Sequence, residues 1–271
     1  MNREDRRAVA AVGRVGRQIA AAVELIVAAL GRGGRLFFVG AGTSGRLGVL
    51  EAAECPPTFG TPPGLVQAIM AGGRAAVFRS REGAEDDARA ARRAVRARVR
   101  RGDIVVGVSA SGVTPFVRGA LAEARGRGAH TVLLACNPTT RRSAGARLLM
   151  TPVPGPEILT GSTRLKAGTA TKLVLNTLTT AAMARLGRVY GNRMVDRQPR
   201  AAKRRERAVR LVQEIARVPR RRARRALDGA RGRVRVAIVM ANRGLDAESA
   251  ARALRAAGGS LRAALQVSRR T

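Results

Sequence analysis

Residues 35–57 bring together the residue types that bind phosphate groups and those that move protons. An apolar run predicts a buried strand, which leads into a loop rich in glycine, serine and threonine. A strand that feeds such a loop at a helix start directs backbone N–H groups and small hydroxyls, here those of Thr43 and Ser44, at one spot where a phosphate binds. The apolar helix that follows carries two candidate acid and base groups, Glu51 and Glu54. The segment predicts a phosphorylated small molecule as ligand and proton transfer as chemistry.

A second segment of the same kind follows a strand predicted over 103–108. The hydroxyls of Ser109, Ser111 and Thr114, with the backbone around Gly112 at the start of the next helix, could surround a dianion without an arginine. One such turn is commonly no more than a helix cap. Two of them at the ends of parallel strands can flank one crevice, so together they predict a phosphate site.

Further carboxylates stand at a predicted helix start, at Glu82, Glu85, Asp86 and Asp87. One interpretation is chemical, and the other is that these charges only stabilise the positive end of the helix. The single histidine, His130, begins a strand instead of ending one, which favours a structural role. We therefore expect carboxylates to carry any proton transfer.

Residues 155–176 are predicted to form a polar loop that enters an apolar helix. Two interpretations stay open for its Ser162, Thr163, Arg164 and Lys166. They could reach a ligand, or they could form a helix cap with basic flanks.

The elements that must position these residues alternate between apolar runs and helical patterns, which predicts an α/β fold with a doubly wound, parallel, five-stranded sheet. The predicted strands are 35–40, 65–70, 103–108, 130–135 and 147–152, and the predicted helices are 45–54, 82–100, 115–127 and 166–186. Four prolines in 55–64 predict a stiff loop there, because proline is disfavoured inside helices and central strands.

Two domains are expected: 1–199, with a helical lead-in over 1–31, and a small helical C-terminal domain over 200–271. The charged stretch 197–210 is predicted to be a linker or a helix start. The helical pieces expected after it are 200–216, 219–230, 234–242, 245–256 and 259–267.

Composition places the chain among globular proteins but with an abnormal charge. It has 271 residues with 52 basic against 18 acidic side chains, a formal net charge of +34, and only Lys166, Lys172 and Lys203 among the basic residues are not arginine. The arginines are spread along the chain with few aromatic residues between them, which favours solvated helix faces over base stacking. Nonspecific binding to polyanions stays open as an alternative. We expect no specific nucleic-acid partner.

Cysteine content and hydropathy predict the compartment. Cys55 and Cys136 fit neither a metal spacing nor a disulfide framework, which is typical of a reducing environment. No apolar run reaches membrane-spanning length, and residues 1–10 do not resemble a signal peptide. We therefore expect a cytoplasmic protein without a membrane partner.

Several segments in order resemble the N-acetylmuramic acid 6-phosphate etherases, members of the sugar isomerase (SIS) superfamily to which the glucokinase regulatory protein also belongs. The resemblance covers nearly the whole chain, and its motifs are GAGTSGRLGVLEAAECPPTFGTPP, EGAEDD, SASGVTP, CNP, GPEILTGSTRLKAGTATKLVLN and VYGNRMVD. It implies an SIS-type sheet, and a carbon–oxygen lyase that cleaves the D-lactyl ether of N-acetylmuramate 6-phosphate by elimination and water addition, during peptidoglycan recycling.

The resemblance also implies residue roles. Glu54 would be the catalytic acid and Glu85 the base, with the phosphate held by Thr43 and Ser44 and by the second loop. We expect Glu51 and its apolar helix to keep the Glu54 carboxyl protonated. We expect neither a metal nor an organic cofactor, and we expect a homodimer. Val113 departs from the arginine usual in the family.

Two other classes of function compete with the etherase. A noncatalytic sugar-phosphate-binding regulatory protein would not need Glu54 and Glu85, which are both present. A nucleic-acid-binding regulator of the same superfamily is suggested by the charge alone.

Overall fold

The computed structural model of the protein describes residues 1–140, 145–196 and 202–266. The chain divides into two compact units, one made of Met1–Cys55 with Pro62–Ala182 and the other of Pro56–Thr61 with Met183–Thr271. The boundary expected at residues 199 and 200 lies outside the described residues, as do the first five residues of the linker or helix start predicted over 197–210 and the last residue of the helix expected over 259–267. The two-domain division at that boundary stays a prediction.

The first unit contains the predicted parallel sheet of five strands, in the order β2-β1-β3-β4-β5. Its strands are β1 (Leu36–Gly40), β2 (Val66–Met70), β3 (Ile104–Val108), β4 (His130–Leu134) and β5 (Leu148–Met150). Every neighbouring pair is parallel. The fold class and all five strand positions are confirmed. The last strand is shorter than expected because Pro152 has no N–H to donate to a ladder.

Helices cover both faces of this sheet, as a parallel sheet requires. They are α1 (Asn2–Arg14), α2 (Gly16–Gly31), α3 (Gly42–Phe59), α4 (Ala75–Phe78), α5 (Ala88–Arg98), α6 (Pro115–Gly126) and α7 (Lys166–Arg185). On one face Phe37, Val39 and Val105 pack against the buried side chains of α5 and α6, including Phe116 and Leu121. On the other face α2 contacts four of the five strands.

The start of the sheet is tied together by Asp103, whose side chain is fully buried. It accepts hydrogen bonds from the Arg35 backbone N–H at 2.9 Å, from the Arg35 guanidinium at 2.7 Å and from the Arg100 N–H at 2.9 Å. These bonds fix β1 and β3 side by side, so their opposite ends present their loops at one edge.

The helix expected over 82–100 and the loop expected from residue 55 both begin later than expected. The helix expected over 82–100 begins only at Ala88, because Gly83 has φ +73° and the Asp87 side chain caps the helix by accepting the Ala90 N–H at 2.7 Å. The acidic residues before Ala88 therefore lie in turns.

The stiff loop expected from residue 55 onward begins only after Phe59, since Pro56 and Pro57 lie inside α3. Each proline removes one helix hydrogen bond. α3 ends less than one turn after these prolines. The Gly60 N–H donates to the Pro56 carbonyl at 3.0 Å at this end of the helix.

The second unit is helical, as predicted for the C-terminal region. It contains a two-stranded hairpin, β6 (Val189–Tyr190) with β7 (Arg193–Met194), and α8 (Ala202–Ala216), α9 (Arg220–Gly229), α10 (Val234–Arg243), α11 (Ala247–Ala256) and α12 (Leu261–Gln266). Its core is aliphatic and includes Val212, Leu227, Ile238 and Leu254. Asp196 binds Arg188 at 3.0 Å and Arg235 at 2.8 Å, which anchors the hairpin to α10.

Candidate active site

A cleft of about 270 Å³ opens at the carboxyl ends of β1 and β3 in the first unit. The connection from β1 leads to β2 on one side, and the connection from β3 leads to β4 on the other side. Such a point in a doubly wound sheet leaves a crevice in which ligands bind. Most of the predicted site residues line this cleft: Thr43, Ser44, Glu85, Ser109, Ser111 and Thr114.

Thr43 and Ser44 lie in the first turn of α3, which begins at Gly42 and not at residue 45 as expected. The early start is possible because Gly42 takes a positive φ of +51°. The backbone N–H groups of a first helical turn have no partner within the helix and favour an anion. The side chains and the amide positions of Thr43 and Ser44 therefore both suit a phosphate.

The turn that carries these residues depends on a close contact between Gly40 and Gly45. A Cβ atom on Gly45 would stand 2.3 Å from the Met70 Sδ and 2.6 Å from the Gly40 carbonyl oxygen. No side chain fits there, so the glycine lets α3 start directly against the ends of β1 and β2. That contact sets the position of the α3 N-terminus at the cleft.

The second loop gathers three hydroxyls at the end of β3. The Ser109 Oγ lies 2.7 Å from the Thr114 Oγ1 and 3.4 Å from the Ser111 Oγ. Ser109 is buried, whereas Ser111 is exposed at the cleft. Gly112, at φ +76°, donates its N–H to the Ser109 Oγ at 3.0 Å, so it shapes the loop and is not among the described residues that line the cleft.

Glu85 faces these hydroxyls from a turn before α5. Its backbone carbonyl accepts the Phe116 N–H at 2.9 Å, which attaches the turn to the first residues of α6. Its exposed carboxylate therefore lies in the same cleft as Ser109, Ser111 and Thr114. One carboxylate and three hydroxyls are thus presented together.

Glu54 lies elsewhere: it is exposed on α3 and is not among the described residues that line the cleft. The expectation that Glu51 keeps the Glu54 carboxyl protonated also loses its basis. Glu51 is the buried member of the pair, and it is bound by the Lys172 ammonium at 2.8 Å and by the Thr179 hydroxyl. Its charge is compensated within the unit.

Sequence reasoning did not identify Arg46, which lines the cleft. Its Nε donates to the Val77 carbonyl and its Nη2 to the Ala76 carbonyl, both at 2.9 Å. It therefore holds α4 at the rim and has fewer donors left for a ligand. Arg81 also lines the cleft and makes only a long hydrogen bond of 3.5 Å to the Gly72 carbonyl. It stands one residue before the helix predicted over 82–100, where sequence reasoning considered only the carboxylates.

The loop before α7 contributes Thr163 to the cleft, whereas Ser162 and Arg164 are not among the described lining residues. Lys166, one of the residues considered for a ligand, is buried with only 1 % exposure and binds the Glu4 carboxylate at 2.7 Å. This hydrogen bond is the main cause that lowers the pKa of Glu4 from its ordinary value. Glu157, which sequence reasoning missed, caps the helix by accepting the Lys166 and Ala167 N–H groups at 2.9 Å each.

Other chemistry is not evident in the described part of the chain. Within residues 1–140, 145–196 and 202–266, no group of three or more His, Cys, Asp or Glu side chains could hold a metal ion, and no helix is long and apolar enough to cross a membrane. Cys55 is buried, and burial raises the pKa of its thiol from 9.0 to about 12. It is therefore a neutral packing group at physiological pH.

Comparison with known proteins agrees with this geometry. Residues 18–125 match the protein family described as the glucokinase regulatory protein N-terminal SIS domain. The chain is 49% identical to the N-acetylmuramic acid 6-phosphate etherase of Synechocystis sp. over 97% of this chain and 87% of the relative. It is 53% identical to the protein of the same name from Gloeobacter violaceus, again over 97% and 87%.

A solved structure, a phosphoheptose isomerase from Francisella tularensis, superposes with a TM-score of 0.52 at 18% identity, covering 66% of this chain and 92% of that one. At that identity the likeness concerns the fold alone.

Proposed function

This chain belongs to the N-acetylmuramic acid 6-phosphate etherase family, and from that premise we infer that it is a carbon–oxygen lyase acting on N-acetylmuramate 6-phosphate. It cleaves the D-lactyl ether to give N-acetylglucosamine 6-phosphate and D-lactate, in the recycling of peptidoglycan amino sugars. The observation that carries this conclusion at the site is the joint placement of Glu85 and the three hydroxyls of Ser109, Ser111 and Thr114 in one cleft.

The chemistry requires a base and an acid. In the open-chain sugar the proton on C2 lies next to the aldehyde, so a base can remove it. The ether oxygen on C3 then leaves with lactate if an acid protonates it, and water adds to the unsaturated sugar. We assign the base to Glu85, which lines the cleft, and the acid to Glu54.

The phosphate is assigned to the two loops at the strand ends. The Ser111 and Thr114 hydroxyls, with Thr43 and Ser44 at the α3 N-terminus, can donate to its oxygens. Ser109 holds the second loop in place, because its buried hydroxyl is hydrogen-bonded to the Thr114 hydroxyl and accepts the Gly112 N–H. Binding by hydroxyls and amides fits the hydrogen-bond geometry of a dianion without a metal ion.

The exposure of Glu54 supports a homodimer as the working form. Leu50, 43% exposed, and Ala53 lie on the same side of α3 as Glu54, so the carboxylate stands in an exposed, partly apolar stripe. A second copy of the chain would cover this stripe and enclose Glu54. Sedimentation velocity tests the proposal, and a monomer at the concentration used for activity would contradict it.

A cytoplasmic location is supported by two features. Cys55 and Cys136 are both free thiols, and the substrate is a sugar phosphate. The noncatalytic sugar-phosphate-binding alternative is not favoured, since the relatives at about half identity are named as etherases.

Release of D-lactate from N-acetylmuramate 6-phosphate by the purified protein tests the function. We expect turnover of this substrate and none of unphosphorylated N-acetylmuramate. Equal turnover of the two would contradict the phosphate assignment. Binding of the phosphorylated sugar without any lactate release would favour the regulatory protein.

A further inference from the structure

A second cavity, of about 390 Å³, adjoins the cleft in the same unit. Three residues, Ala110, Ser111 and Thr163, line both spaces. A ligand whose phosphate is held by Ser111 therefore has a neighbouring space into which another of its substituents can extend.

The walls of this cavity are mainly apolar. They are formed by Pro138, Val153, Pro154, Pro156 and Ala167. Cys136 completes them, and its thiol donates to the Ala167 carbonyl at 3.7 Å. Burial raises the pKa of this thiol to about 11, so the thiol is uncharged at neutral pH. Such walls suit a small apolar group.

The polar atoms at the cavity are neutral or already paired. The Asn137 Nδ2 donates to the Ser111 carbonyl at 3.3 Å, and its Oδ1 accepts the Thr139 N–H at 3.0 Å. Among the described lining residues, the formal charge is carried by the Glu157 carboxylate. Its two oxygens accept backbone N–H groups of α7. A negative wall disfavours a second carboxylate or phosphate.

We propose that this cavity is the subsite for the acyl group on the C2 nitrogen of the substrate, with Val153 as a residue that sets how large an acyl group is accepted. The proposal rests on the proposed function for its substrate. Of the three substituents of N-acetylmuramate 6-phosphate, the phosphate and the lactyl group are anionic and the acetamido group is neutral with a methyl end. Only the acetamido group matches both the apolar walls and the Glu157 charge.

The position of the subsite also suits the reaction. The nitrogen is attached to C2, the carbon from which the base takes its proton. Holding the acyl group beside Ser111 and Thr163 would fix the rotation about C2 relative to Glu85 in the adjoining cleft. The hydroxyl of Thr163 lies at the shared boundary and can donate to the acyl carbonyl.

The test compares two ligands with the same phosphate whose neutral acyl groups differ by two methylenes: N-acetylglucosamine 6-phosphate and N-butanoylglucosamine 6-phosphate. Their dissociation constants are measured by titration calorimetry on wild type, Val153→Phe and Val153→Ala. Phenylalanine should narrow the cavity and raise the butanoyl-to-acetyl ratio of dissociation constants about 15-fold, since each of the two displaced methylenes is worth roughly fourfold. Alanine should lower that ratio. Val9→Phe, the same substitution at an exposed site on α1, should leave the ratio unchanged.

The results separate the two proposals. An unchanged ratio in both Val153 variants would overturn the subsite, even if the wild type releases lactate. A shifted ratio in a protein that releases no lactate would keep the subsite and overturn the etherase function. If Val153→Phe does not fold, the opposite shift in Val153→Ala decides alone. Absence of binding of either ligand to the wild type would overturn the subsite.

Discussion

Thr114 allows the hydroxyl contribution to be measured at a single residue. Its Oγ1 lies 2.7 Å from the buried Ser109 Oγ and lines the cleft. Thr114→Ala should weaken binding of N-acetylglucosamine 6-phosphate by about 1–3 kcal/mol, because a charge-assisted hydrogen bond is lost. Thr114→Ser, which keeps the hydroxyl, should bind within a few tenths of a kcal/mol of wild type. Titration calorimetry makes the comparison, and equal losses in both variants would exclude a role for the hydroxyl.

Substitution of Glu85 and substitution of Glu54 should impair different steps of the reaction. Glu85→Ala removes the proposed base, so it should lose both lactate release and exchange of the C2 proton of N-acetylglucosamine 6-phosphate in deuterated water. Glu54→Ala removes the proposed acid, so it should lose lactate release but keep exchange. A loss of about 10²–10⁴-fold is expected for each affected step.

Proton NMR follows the exchange, and Asp86→Asn, an exposed neighbour of Glu85, serves as the control. Exchange that is retained in Glu85→Ala and lost in Glu54→Ala would reverse the two roles. Full lactate release in both variants would show that neither is catalytic.

Residue positions were predictable where a strand end fixes them. Ser109 directly follows the buried strand β3, and Thr114 ends the loop between this strand and α6, so the parallel sheet and the next helix start bring them to the cleft. The exposure of Glu54 was not predictable, because Glu51 and Glu54 are three residues apart and nothing local says which one α7 covers. Glu51 and its partner Lys172 are more than one hundred residues apart in the chain.

At the scale of elements, the ion pair between Glu4 and Lys166 joins α1 to the start of α7. The lowered pKa of Glu4 means that its contribution to stability is present above its ordinary value of 4.5 and is lost as the pH falls through the lowered value. Glu4→Gln should therefore lower the melting temperature at pH 7 by about 2–4 °C and leave it nearly unchanged at strongly acidic pH.

Asp5→Asn is the matched control, since Asp5 is the other acidic residue in the first turn of α1. It removes the same favourable charge near the helix N-terminus without touching Lys166. Thermal unfolding followed by circular dichroism at both pH values decides the matter, and equal effects of the two variants would contradict the ion-pair explanation.

Elements were predictable to different degrees for physical reasons. The strands follow from mainly apolar runs, and all five were found within about two residues. Helix ends depend on single residues whose backbone angles are not visible in a pattern, such as Gly42 at φ +51° and Gly83 at φ +73°. The continuation of α3 through Pro56 and Pro57 opposes local propensity, and its last residues belong to the second unit.

For the whole molecule, the net charge of +34 is the property that most needs a test. If the arginines are solvated surface groups, the protein should bind DNA only through counterion release. We expect affinity for random-sequence duplexes to fall by about 10³-fold or more between 50 and 200 mM salt, with no preference between sequences. Fluorescence anisotropy provides the measurement. Tight, sequence-selective binding at physiological salt would favour the nucleic-acid-binding regulator.

The buried thiol of Cys55 gives the first unit an internal reporter. Cys55 and Cys136 both lie in that unit, and burial keeps both protonated at neutral pH. A protonated thiol reacts poorly with iodoacetamide or peroxide, so the folded protein should tolerate air oxidation and purification without reductant. Alkylation of Cys55 then proceeds only when the unit opens, whereas Cys136 lines the second cavity and can be reached in the folded state. The rate of carbamidomethyl incorporation at Cys55, read by mass spectrometry, therefore measures the opening of the first unit.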